Sequence, residues 1–345
     1  MAGNGSHRPV AVVTGGSAGV GRAVAAAFAR RGWRVAVIAR GPERLASAAR
    51  EIERLGGEAL PIEADVADAD TVFAAADRVV RRWGALDVWV NNAMATIFAP
   101  IAKVTPAEFR RVTEVTYLGQ VHGTLAALRH MRPARAGTIV QIGSALAYRS
   151  IPLQAAYCAA KAAARGFTDS LRTELIHEDS PIRVTMVHLP AVNTPQFDWS
   201  RSRMPRAAQP VPPIHDPEPV AEAVFDAAMD APREVWIGKP TWEAILGQMV
   251  APGWLDGMMA RDAWDGQMTD EPGGDRDGNL FAPVPGDHGA HGRFDDRSHP
   301  SVTALSSAAV RGSLLAAGLA LGLGAVAGAA ALGRHRRERI GQRPP

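Results

Sequence analysis

A single cysteine, Cys158, occurs in 345 residues. No intramolecular disulfide can form, which excludes a disulfide scaffold and points to a reducing compartment. Cys158 is expected to be a small helix filler. Lysine and tyrosine are nearly as scarce, with Lys103, Lys161 and Lys239 set against Tyr117, Tyr148 and Tyr157. Positive charge therefore rests almost wholly on arginine. The net charge is +3, but Arg334, Arg336, Arg337, Arg339 and Arg343 crowd into residues 334–345. Without that tail the chain is close to neutral. No basic stripe with interleaved aromatics appears, so no nucleic-acid partner is expected. The polar start offers no apolar core for a signal peptide, and none is expected. Asp287, His288 and His291 lie close together but lack a ligand scaffold, so no metal is expected.

Strand-like apolar runs cover about 9–14, 34–39, 58–63, 86–90, 137–142, 182–188 and 234–237. Helical patterns lie between them near 19–31, 43–55, 68–83, 106–131, 155–178 and 218–230. Such alternation predicts an α/β fold: a doubly wound parallel sheet of about seven strands with helices on both faces. Ligands of such sheets sit beyond the strand C-termini at the switch point. Residues 1–250 are taken as this domain. Its residues 191–219 form a Pro-rich insert with Phe197, Trp199 and Met204. Residues 251–311 read as an extension and linker, poorly ordered from about 269 because Gly, Asp, Pro, Arg and Ser dominate. Residues 312–333 form an uncharged run long enough for one transmembrane helix, with Gly318, Gly322, Gly324 and Gly328 at small-xxx-small spacing. The basic tail 334–345 follows. These features predict a cytoplasmic catalytic domain anchored to a membrane by the C-terminal helix.

Two motifs carry chemistry. The first is Gly15-Gly16-Ser17-Ala18-Gly19-Val20-Gly21, after a Val-rich strand and before a helix. Strand, glycine turn and helix together present backbone N–H groups and a helix N-terminus to a pyrophosphate. The second is Tyr157 with Lys161. On an Ala-rich helix, positions four apart share one face, so the ammonium lies near the phenol. A nearby positive charge favours the phenolate and fits the Tyr for proton transfer.

Taken together, these motifs resemble the short-chain dehydrogenase/reductase family over residues 8 to about 240. Thr14-Gly15-x-x-x-Gly19-x-Gly21 matches the family's cofactor loop, with Ser17 and Val20 inside it. Asp65-Val66 matches the adenine contact, and Asn91-Asn92-Ala93 the motif after strand four. Ser144, Tyr157 and Lys161 match the catalytic set. Pro190-Ala191-Val192-Asn193-Thr194 resembles the stretch that closes over the nicotinamide. Three departures stand out: Met94 and Ala191 each replace a usual Gly, and Thr116 occupies the position of the Asn that holds a relay water.

The resemblance implies a Rossmann-type oxidoreductase and a homo-oligomer. Hydride would pass between nicotinamide and a carbonyl or secondary alcohol, with Tyr157 as general acid/base. Strand two ends Val37-Ile38-Ala39-Arg40 with no acid for a ribose 2′-hydroxyl. Arg40 and Arg22 can instead pair with a 2′-phosphate, so NADP(H) is expected over NAD(H). In the family the region of the insert 191–219 is the substrate lid, and its apolar content here favours a hydrophobic ketone or alcohol. The alternative is a catalytically weak dinucleotide-binding redox sensor or scaffold at a membrane, which Thr116 favours.

Overall fold

The first strand shows how the sheet is built. In β1 (Val10–Thr14) every residue is buried. Val10 and Val12 enter one apolar cluster, while Ala11 and Val13 enter another. Successive side chains of a strand point to opposite faces, so a run of small β-branched residues serves two cores at once. The next strand repeats this. In β2 (Arg34–Ala39), Ala36 and Ile38 join the first cluster, and Val35 and Val37 the second. Helix α1 (Gly19–Ala29) lies between these strands in sequence and is buried along nearly its whole length.

The computed structural model describes residues 8–316. Two compact units divide at Ala304 and Leu305. In the first unit the chain continues through α2 (Pro42–Arg54), β3 (Glu58–Glu63), α3 (Ala69–Trp83), β4 (Val88–Asn91) and β5 (Ile97–Phe98). Then come α4 (Pro106–Thr113), α5 (Gly119–Ala134), β6 (Thr138–Ser144), α6 (Ala155–His177), β7 (Arg183–Leu189) and β8 (Ala191–Val192). The lid region holds α7 (Gln196–Trp199), β9 (Arg201–Ala208) and β10 (Ile214–His215). After α8 (Pro217–Asp230) and β11 (Glu234–Ile237) come α9 (Lys239–Val250), α10 (Pro252–Met258) and α11 (Trp264–Gly266). The remaining strands are β12 (Met268–Arg276), β13 (Ser298–His299) and β14 (Ala304–Ser306).

The main sheet has eight strands in the order β14-β11-β7-β6-β4-β1-β2-β3. Seven were expected, and β14 is the added edge strand. Every neighbouring pair from β11 to β3 is parallel. The order reverses at β1, which has β2 on one side and β4 on the other. A crevice opens beyond the strand ends at such a point.

Three expectations are corrected. The membrane-spanning helix over 312–333 is unsupported, because among the described residues no helix is long and apolar enough to cross a membrane. Ala and Gly dominate that stretch and carry little apolar surface each. Residues 317–333 and the tail 334–345 lie outside the described residues. Within the second unit, residues 307–316 are helical.

Second, the long helix expected over 106–131 is interrupted. A capping box, with the Thr105 side chain on the Glu108 N–H and the Glu108 side chain on the Thr105 N–H, starts α4. A π-turn over Glu114–Leu118 then separates α4 from α5. Thr116 sits in that turn, fully buried. Its hydroxyl accepts from the Ala95 N–H at 2.9 Å and donates to the Ala95 carbonyl at 2.8 Å. Such turns widen a helix locally and recur at functional sites.

Third, the expected loose linker is a folded strap. β12 pairs antiparallel with β9. Leu280 and Phe294 are buried, Phe294 in a cluster with Phe98, Phe197, Met204 and Met268. The polar composition that suggested disorder is used in contacts: Asn193 Nδ2 donates to Asp295 at 2.6 Å, and Arg293 pairs with Asp198 at 3.1 Å.

A buried polar chain supports the end of β4. Trp89 Nε1 donates to Asn91 Oδ1 at 2.8 Å, and Asn91 Nδ2 donates to Thr124 Oγ1 at 3.0 Å. Gln141 Nε2 reaches the same hydroxyl at 2.8 Å. Gly123 makes this possible, since a Cβ there would lie 2.1 Å from Asn91 Oδ1. Gly123→Ala is expected to destabilise the protein by about 1–3 kcal/mol through overpacking. Urea unfolding measures this, and an unchanged midpoint would refute the packing argument.

Candidate active site

The glycine loop is fixed by its partners just beyond β4. Gly15 adopts a left-handed φ of +67°, and a Cβ there would lie 2.8 Å from Ala93 Cα. Only glycine passes both tests. The Thr14 hydroxyl accepts from the N–H groups of Asn92 and Ala93 at 3.0 and 3.1 Å. Asn92 Nδ2 returns a bond to the Thr14 carbonyl at 2.9 Å. Helix α1 begins without a side-chain cap and without an acid in its first turn. Most of its first N–H groups therefore lack an intrahelical or side-chain partner and suit an anion. The Gly19 N–H is an exception, because it donates to the Gly289 carbonyl of the strap at 3.0 Å.

The loop lines a cavity of about 710 Å³. The cavity gathers Gly15, Ser17, Gly19, Val20, Gly21, Arg40, Asp65, Val66, Asn92 and Ala93. Ser144, Tyr157, Lys161, Pro190, Val192 and Thr194 line it too. Two residues singled out from the sequence are not on its wall. Thr116 is buried behind it on Ala95. Arg22 is turned away and held by Glu51 at 2.6 Å, by Ser47 at 3.1 Å and by Asp287.

Ser144 closes β6, and its hydroxyl accepts from the Leu146 N–H at 3.2 Å. Tyr157 stands in the first turn of α6 with Lys161 one turn on. The Lys161 Nζ lies 5.6 Å from the Tyr157 ring centroid and donates to the Ile142 carbonyl at 2.6 Å. Burial pushes the Tyr157 phenol above its ordinary value, and the nearby Ser144 side chain opposes this. Desolvation pushes Lys161 down to about 7. Burial thus runs against the lowering of the phenol that was expected from Lys161.

Behind Ser144 lies a buried group that the sequence did not reveal. His188 on β7 is fully buried, with Nδ1 3.1 Å from the Ser144 carbonyl. A carbonyl only accepts, so Nδ1 carries the proton. Burial pushes this imidazole down to about 4, and it is neutral. Glu234 on β11 approaches Nε2 at 3.8 Å and accepts from Tyr148 at 2.8 Å. Burial, helped by Glu234, pushes Tyr148 up to about 12. These groups anchor the backbone of Ser144 from beneath. The one hint in the sequence was a His two residues before Pro190, at the end of the Val-Thr-Met-Val run of β7.

A model of the short chain dehydrogenase family matches residues 9–204. The chain belongs to that family. It is 30% identical over 272 residues to the uncharacterized oxidoreductase YxnA of Bacillus subtilis, covering 78% of this chain and 76% of the relative. It is 37% identical over 227 residues to the cis-4-hydroxycyclohexanecarboxylate dehydrogenase of Sinomonas cyclohexanicum, covering 64% of this chain and 90% of that enzyme. Among solved structures it is similar to an alcohol dehydrogenase from the archaeon Thermococcus sibiricus complexed with 5-hydroxy-NADP. That match has a TM-score of 0.55 and 28% identity, over 66% of this chain and 95% of the other. The short-chain dehydrogenase is thus a Rossmann-like oxidoreductase that binds NAD(P) and acts on small molecules.

The low value for Lys161 gives a stability test. Its ordinary value is 10.5, against about 7 in the folded protein. Between these the unfolded chain holds a proton that the folded chain has lost. The burial penalty is full below pH 7 and fades as pH rises towards 10.5, so stability rises with pH. Relative to Lys161→Met, the wild type is expected to gain stability from pH 7 to 9 in urea unfolding. A difference that stays flat across that range would contradict the burial of a titrating ammonium.

Proposed function

We propose that this short-chain dehydrogenase is an NADP(H)-dependent oxidoreductase acting on an apolar ketone or secondary alcohol. One observation carries the proposal: Ser144, Tyr157 and Lys161 line the same cavity as the glycine loop. The uncapped start of α1, with Gly15, Ser17, Gly19, Val20 and Gly21, fits the pyrophosphate. Asp65 and Val66 would flank the adenine, with Asn92, Ala93, Pro190, Val192 and Thr194 towards the nicotinamide. A bound nicotinamide would supply or accept the hydride.

The side chains manage the proton and the geometry. The Tyr157 hydroxyl gives its proton to the carbonyl oxygen in reduction and takes the alcohol proton in oxidation. Ser144 hydrogen-bonds that oxygen and fixes its direction. Lys161 adds positive charge beneath the phenol and stabilises the phenolate left by proton transfer. Apolar side chains, among them Met94, Leu146, Phe197, Leu255 and Met258, line the same cavity. They exclude water from the reacting carbon and favour a hydrophobic substrate. The Sinomonas relative, named for a hydroxycyclohexane substrate, supports a ring-borne secondary alcohol or its ketone.

Support for the phosphorylated cofactor comes from strand two. It ends at Ala39-Arg40 with no carboxylate for a 2′-hydroxyl, and Arg40 and Arg44 both line the cavity. The Thermococcus structure was solved with an NADP derivative. Tyr157→Phe is expected to lower turnover of a cyclohexanone substrate by about 10²–10⁴-fold. Binding of NADPH, followed by its fluorescence, should change little. A variant that keeps its turnover would overturn the role given to Tyr157.

A further inference from the structure

The strap follows the rim of the cavity, touching in turn the lid, the wall around Asp65, the glycine loop and the stretch around Asn193. At its start the Asn279 N–H donates to the Trp199 carbonyl at 2.8 Å, and Asn279 itself lines the cavity. The carbonyls of Leu280 and Phe281 accept from Arg40 at 3.4 and 3.2 Å, and that of Leu280 also from Arg111 Nε at 3.0 Å. Arg111 in turn pairs with Asp65. Further along, Asp287 binds Arg22 of α1 and Ser47 of α2, and the Gly286 N–H donates to Glu43 at 3.1 Å. The Gly289 carbonyl accepts from the Gly19 N–H at 3.0 Å, and the Gly292 N–H donates to the Asn193 carbonyl at 3.3 Å. All of this lies beyond residues 9–204, which the family model matches.

Apolar burial anchors the strap only at its two ends. Leu280 and Phe294 are buried, whereas no residue from 281 to 293 is. That span is held by polar contacts, which water can replace, so it opens at lower cost than the core. Its one charged tie to α1 is Asp287 on Arg22, whose side chain is 8% exposed against 35% for Asp287. Charge-assisted bonds of this kind are about twice as strong as neutral ones. The tie also sits where it matters. Two residues further on, the Gly289 carbonyl rests on the first N–H of α1, at the loop suited to a pyrophosphate. Releasing Asp287 frees the span that lies against that loop.

We propose that residues 281–293 are a clasp over the cofactor crevice, latched by the Arg22–Asp287 pair, which must open for the cofactor to leave. The clasp rests on the reading of the crevice as a dinucleotide site and is indifferent to the choice between NADP(H) and NAD(H). Full-length wild type, Asp287→Ala and Asp287→Asn should be loaded with NADPH and, in parallel, with NADH. Release is followed by stopped-flow fluorescence after mixing with an excess of the oxidised cofactor. Asp287→Ala is expected to release the reduced cofactor on the order of 10–100-fold faster than the wild type, with association changing less. Asp287→Asn, which keeps the shape but not the charge, should speed release by a smaller factor. Hydrogen–deuterium exchange read by mass spectrometry supplies a second readout. Without cofactor, Asp287→Ala should exchange faster across 281–293 alone, which also shows that the rest of the protein is folded. Bound cofactor should slow exchange of that span in the wild type. Release by Asp287→Ala within about twofold of the wild type, or slower, overturns the clasp and leaves the dinucleotide site standing. So does a span that exchanges faster once the cofactor is bound. A wild type that binds neither cofactor overturns the reading of the crevice and the clasp with it.

Discussion

Hydrogen bonds between the end of β1 and the end of β4 organise everything beyond the strands. The Thr14 hydroxyl accepts from two successive N–H groups of the Asn92-Ala93 turn, and Asn92 returns a bond to the Thr14 carbonyl. These contacts stand at the point where strand order reverses. They hold Gly15 against Ala93 too closely for a side chain, and so fix the start of α1. Without them the loop would have no reason to keep its N–H groups turned towards the crevice. The proposed catalytic residues reach the same crevice from the next strand over: Ser144 ends β6, which pairs with β4.

The second constraint is the burial of Lys161. An ammonium with 1% exposure, bonded to one carbonyl, is held at a cost that folding alone does not explain. It is acceptable where the charge serves a neighbouring phenol. Thr116 lies buried behind the cavity wall. In place of the Asn usual at its position, it ties the Ala95 backbone with both hydroxyl functions. The neutral His188 beneath Ser144 supplies rigid support from the other side of β6.

What was legible in the sequence was local. Val-rich strands, the glycine loop and the Tyr157–Lys161 pair depend on residues within a few positions of one another, and each appears where expected. The strap was missed because composition averages over many residues, whereas Leu280 and Phe294 anchor it singly. Arg22 was misjudged for a related reason. Its partners Glu51 and Asp287 lie 29 and 265 residues away, beyond the reach of any local pattern. The uncharged run from Gly312 misled because length was weighed above the small apolar surface of Ala and Gly.

The central claim is that the cavity passes a hydride between a dinucleotide and a carbon placed by Ser144 and Tyr157. Deuterium tracing tests this most directly. The protein would be incubated with NADPH carrying deuterium at nicotinamide C4 in the transferable position, together with cyclohexanone-type ketones, and the products analysed by mass spectrometry. The account predicts alcohol carrying one deuterium at the carbinol carbon. Tight NADPH binding with no deuterated alcohol from any ketone offered would contradict it.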